Sequence, residues 1–77
     1  MAHDMAVRDP QSAEAEDLQA ELHDRFRGRI SGLRVLVRNG GLVLKGRART
    51  FHVKQLVQHA VMKRSRVPIL RNEIAVE

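Results

Sequence analysis

The chain of 77 residues has no cysteine, tryptophan or tyrosine, and its only aromatic residues are Phe26 and Phe51. Without cysteine there is no disulfide framework and no thiolate metal site. With so few rings, the stacking platforms that read unpaired bases or sugars are missing. No apolar run approaches the length of a membrane span. The first residues are acidic and polar rather than basic and apolar, so no secretory signal is read and a cytoplasmic location is expected. A chain this short makes one domain.

What is present is charge, unevenly placed. Residues 1–24 hold one base, Arg8, and seven acids. Residues 25–77 hold thirteen bases and two acids, Glu73 and Glu77. The acids Glu14, Glu16 and Asp17 could complement a helix N-terminus and face the basic body internally. Alternatively, the basic body attracts a polyanion, either nucleic acid or an anionic membrane.

Residues 1–10 show no apolar period and read as a disordered arm, with Asp9 or Ser12 as the helix cap and Pro10 as a first helical residue. Leu18, Leu22, Phe26 and Ile30 recur every four residues and predict a helix over 11–27, broken by Gly28 and Gly32. The period then changes to two. Leu33, Val35 and Val37 alternate with Arg34, Leu36 and Arg38, a strand over 33–38. Asn39-Gly40 predicts a type I′ hairpin turn. In the return strand, Leu42, Leu44, Gly46 and Ala48 alternate with Val43, Lys45, Arg47 and Arg49. Gly46 marks either a close approach or a bulge.

Thr50 is placed to cap a helix over 51–64, with Val53, Leu56, Val57, Ala60 and Val61 as its apolar stripe. After Pro68, residues 69–76 form a last strand. Leu70, Asn72, Ile74 and Val76 are expected inward, and Ile69, Arg71, Glu73 and Ala75 outward. Asn72 is the odd polar residue inside, expected to bond a nearby turn. The fold expected is α+β in the order αββαβ: a three-stranded mixed sheet with both helices on one face, and one domain over 11–77. The final crossover makes the last two strands parallel. Phe26, Leu22, Val35, Val37, Leu44, Leu56, Val57, Ala60 and Ile74 are the expected shared core.

The uncovered face then carries Arg34, Arg38, Lys45, Arg47, Arg49 and Arg71 around Leu36, Val43 and Ile69, with Glu73 as its acid. Like charges on paired strands cost stability unless they fan into water or meet an anion. These six bases are the candidate anionic-ligand site. No catalytic chemistry is expected: Ser12, Ser31, Ser65 and Thr50 lack an activating partner, and Gly40-Gly41 belongs to a hairpin rather than a phosphate loop. His52 and His59 are seven residues apart, without a second ligand at helical spacing. Neither a metal nor another cofactor is expected.

The stretch Val35-Leu36-Val37-Arg38-Asn39-Gly40-Gly41-Leu42-Val43-Leu44-Lys45-Gly46 resembles the core hairpin of the BON domain, a small bacterial domain of envelope and stress proteins. Thr50 with the Val53–Val61 stripe, and Leu70-Arg71-Asn72-Glu73-Ile74-Ala75-Val76, are similar to its capped helix and closing strand. The resemblance covers about residues 15–77. It implies an αββαβ fold, envelope association, and a role in binding phospholipid or a protein partner. The chain departs from the family in having Ser65-Arg66-Val67-Pro68 where Gly-Val is usual, in having one copy, and in its basic charge. Two other classes compete with this reading. The helix–strand–strand–helix core is close to KH-type RNA-binding folds, although no Gly-x-x-Gly clamp is present. The open face and strand edges could also pair two copies into a homodimer.

Overall fold

The structure, a computed structural model, describes residues 10–77. The arm expected over 1–10, and Asp9 as a cap, lie outside the described residues except for Pro10, which begins α1 (Pro10–Arg25). Ala15, Leu18, Leu22 and Phe26 form one buried stripe at helical spacing. The helix is α-bonded up to Phe26, whose N–H reaches Leu22 O at 2.9 Å; Gly28, at φ 83°, then turns the chain. Because α1 starts at Pro10, no acid lies in its first turn. The expected dipole role of Glu14, Glu16 and Asp17 therefore falls away, since the effect fades beyond that turn.

Ile30 is not the end of the helical stripe. It opens β1 (Ile30–Arg38), three residues earlier than the alternation predicts. The reason is a bulge against β2 (Gly41–Ala48). Ser31 pairs with Arg47 and Arg34 with Lys45, so Gly32 and Leu33 together oppose Gly46. The extra residue resets the alternation, and both Ile30 and Leu33 point into the core. Gly32 has φ 64° and Gly46 φ 153°, and a Cβ on Gly46 would stand 3.2 Å from Leu33 Cα. Gly46 thus marks both a bulge and a close approach. At the other end Arg38 pairs with Gly41 across Asn39 (φ 49°) and Gly40 (φ 78°), the expected type I′ turn.

Thr50 caps α2 (Phe51–Arg64), its Oγ1 accepting from Val53 N–H at 3.1 Å. Val53, Val57, Ala60 and Val61 are buried, whereas Leu56 and Val37, expected in the core, are half-buried at its margin. Last comes β3 (Ile69–Val76). The sheet order is β1-β2-β3, with β1–β2 antiparallel and β2–β3 parallel. The fold is the expected α+β arrangement, with α1 and α2 packed on one face of a three-stranded mixed sheet. The six most deeply buried large side chains are Leu22, Leu42, Leu44, Val57, Val61 and Ile74. Each contributes about 1.5–3 kcal/mol through removal from water.

A second bulge corrects the start of β3. Leu42 pairs with Ile69 but Val43 pairs with Arg71, which leaves Leu70 unmatched. Ile69 packs against the core, and Leu70 is 48% exposed with its side chain over Gly41. The two residues therefore exchange the faces expected of them. Val76, expected inward, is 43% exposed. Asn72 bonds no turn: its Oδ1 accepts from Ile74 N–H (3.1 Å), and its Nδ2 donates to Gln58 Oε1 on α2 (2.9 Å). On the opposite edge, Gln19 Oε1 accepts from Val35 N–H at 2.9 Å. Each outer strand thus has one backbone donor held by a side-chain amide, which blunts an open sheet edge.

Candidate functional site

The site is built on the sheet face that the helices leave bare. Strand alternation and the β1 bulge place Arg34 and Arg38 on β1, Lys45 and Arg47 on β2, and Arg71 on β3. Arg49 lies one residue past β2. All six expected bases are exposed. Register arranges them in rows. Arg34 stands beside Lys45, and Lys45 beside Glu73. The next row runs Leu36, Val43, Arg71, and the row at the far end runs Ser31, Arg47, Ala75.

The two acids of the basic body both answer this face. Glu73 lies 3.6 Å from Lys45 Nζ and 3.2 Å from Arg71 Nη1. Glu77 lies 3.7 Å from Arg47 Nε. The hydrogen bond from Arg71 holds the Glu73 carboxyl below its ordinary glutamate value, against an opposing desolvation, and the Lys45 charge adds to the lowering. Among the described residues no carboxylate lies within ion-pair distance of Arg34, Arg38 or Arg49. Arg38 instead donates from Nη1 to Val37 O at 2.8 Å.

Beneath the charges is an apolar floor. Leu36 is half-buried and Val43 is 8% exposed, although no helix covers this side. With Leu70 they floor a shallow groove of about 340 Å³, rimmed by Arg38, Lys45, Arg71 and Glu73. The expected trio Leu36, Val43 and Ile69 is thus corrected to Leu36, Val43 and Leu70. The stems of the basic side chains can lie along this floor while their heads reach solvent.

One base escaped sequence reading. Arg49 N–H donates to Arg29 O at 3.3 Å, so the turn after α1 sets an exposed Arg29 beside the end of β2. Arg29 falls between the helix expected over 11–27 and the strand expected over 33–38, and nothing local signals a partner twenty residues away. Of the acids of α1, Glu16 shares a shallow cavity with Arg34, Leu36 and Arg38 at the β1 margin. Glu21 pairs with Arg64 and Asp24 with Arg27, bases that are not on the open face. His52 and His59 are exposed on α2, and no three His, Cys, Asp or Glu residues cluster at metal-binding distance among the described residues. No helix among the described residues is long and apolar enough to cross a membrane.

Comparison of the chain with protein-family models, curated proteins and solved structures found no match.

Proposed function

We propose that this chain is a BON-like, non-enzymatic module that rests its open sheet face on an anionic phospholipid surface. The observation that carries the reading is the make-up of that face. Six bases share this face with the floor of Leu36, Val43 and Leu70, with Arg38, Lys45 and Arg71 on its rim, and among the described residues Glu73 and Glu77 are the acids paired with them. A merely solvated face needs charge but not charge of one sign. Each Lys or Arg near anionic headgroups adds about 1 kcal/mol. Arg34, Arg38 and Arg49, which pair with no carboxylate among the described residues, supply the net attraction, and the floor adds shallow apolar contact. The absence of any aromatic on this face disfavours a single-strand nucleic-acid reader.

The test is vesicle co-sedimentation, anionic against neutral lipid, over a salt series. Binding to anionic vesicles falls as salt rises, because exposed charges are screened beyond roughly 8 Å at physiological ionic strength. Replacing Arg34, Arg38 and Arg49 together by Gln weakens it about 100-fold, from three headgroup contacts of ~1 kcal/mol each. Replacing Lys54, Lys63 and Arg66, which lie off this face, leaves most of it. Equal loss in both variants reduces the effect to net charge. Tighter binding to duplex DNA than to anionic vesicles transfers the face to nucleic acid.

A further inference from the structure

The free edge of β3 differs in kind from the rest of the surface. Among the described residues, the large exposed apolar side chains are Phe51, Met62, Leu70 and Val76, and all four belong to α2 or β3. Phe51, Gln55, Gln58 and Met62 fall on one stripe of α2 by helical spacing. The Gln58–Asn72 hydrogen bond shows that this stripe runs along the β3 margin. Beside it, Met62, Val67, Pro68 and Leu70 line a groove of about 540 Å³ that also takes in Arg66 and Arg71 and no acid.

We propose that β3 pairs antiparallel with β3 of a second copy, about a two-fold axis through Asn72, to give a continuous six-stranded sheet. Three features select this operator. First, an axis at Asn72 sets Arg71 opposite the partner's Glu73, and Glu73 opposite the partner's Arg71, on the same face of the sheet. An axis one residue later sets Glu73 against its own copy. Second, α2 crosses the margin at Gln58, so the same axis runs the two α2 helices antiparallel. Phe51 lies about 10 Å to one side of Gln58 and Met62 about 6 Å to the other, at 1.5 Å per residue. The operator therefore brings Phe51 of one copy to the partner's Met62, and covers both. Third, the other edge does not self-match. The open-face residues of β1 include Arg34 and Arg38 with no acid, so a two-fold there sets base near base.

Pairing exchanges the Asn72 Oδ1 bond to Ile74 N–H for a backbone bond across the interface, so Asn72 acts as a latch on this edge. The interface is isologous and closes at two copies, leaving no free matching edge. A two-fold axis normal to the sheet also places both basic open faces on one side. The pairing does not rest on the membrane reading, and its test contains no lipid.

The test is sedimentation velocity over a concentration series, with circular dichroism to confirm that each variant is folded. The unmodified chain sediments as a dimer at the upper end of the series. R71E and E73R each weaken the dimer at least about tenfold, because like charges then face each other across the axis. The R71E/E73R double variant restores it, since the exchanged charges match again. A chain that stays monomeric throughout overturns the proposal. So does a dimer indifferent to the single changes, or a folded double variant that fails to recover.

Discussion

The two faces of the sheet are made by the same strands, yet they are held by different forces. On the covered face Leu33, Val35, Leu42, Leu44, Ala48 and Ile74 are each 7% exposed or less, packed under the stripes of α1 and α2. On the open face Val43 is buried almost as deeply, at 8%, but by Leu36, Leu70 and the long stems of its basic neighbours. Burial by a helix is close packing among rigid groups. Burial under arginine and lysine stems is a cover that can be moved aside. Equal exposure therefore conceals unequal cost, and it leaves the open face free to change partners while the covered face keeps the fold.

That difference is sharpest in paired truncations. Leu44→Ala removes a side chain with no exposed surface from beneath the helices, and should cost about 2–5 kcal/mol in a urea unfolding experiment. Val43→Ala, next along the strand, should cost about 1.5 kcal/mol, because two methyl groups are lost at ~0.8 kcal/mol each and the stems can collapse into the space. A loss at Val43 equal to that at Leu44 would mean that the open face is as rigid as the core.

A smaller effect probes how the two faces are kept in phase. Gly46 stands opposite the Gly32-Leu33 bulge at φ 153°, with Leu33 Cα and Ser31 O each 3.2 Å from a built Cβ. Gly46→Val should therefore destabilise by about 1 kcal/mol or more. An unchanged urea midpoint would show that the bulge relaxes freely.

The smallest effect lies among the exposed charges. The Glu73 carboxyl is held below its ordinary value mainly by the hydrogen bond from Arg71, so its ionised form is favoured in the folded chain. The stability this gives is complete above the unfolded-state value and is lost as pH falls through the lower folded value. Stepped-pH urea unfolding should show the acid limb flatten in Glu73→Gln, and also in Arg71→Gln. A limb unchanged by either substitution would mean that the pair fluctuates too freely to matter.

The order of the five elements, the parallel last pair, the Thr50 cap, the bounds of α2 and the type I′ turn at Asn39-Gly40 were all legible in the amino-acid sequence. Each depends on apolar period, φ restriction or a capping oxygen, which act within a few neighbouring residues. That Arg34, Arg38, Lys45, Arg47 and Arg71 share the open face was legible too, since alternation within each strand assigns it. What only the tertiary structure decided is register. The bulges at Gly32-Leu33 and at Leu70 exist because a particular neighbouring strand needs the extra residue, and one such residue turns every later side chain over. This is why Ile69 and Leu70 exchanged faces, and why β1 begins at Ile30. Docking likewise set Arg29 beside Arg49, gave Glu73 to Lys45, and brought Asn72 to Gln58. Such contacts join residues far apart along the chain or on different strands, and they form only once hydrophobic burial has brought the elements together.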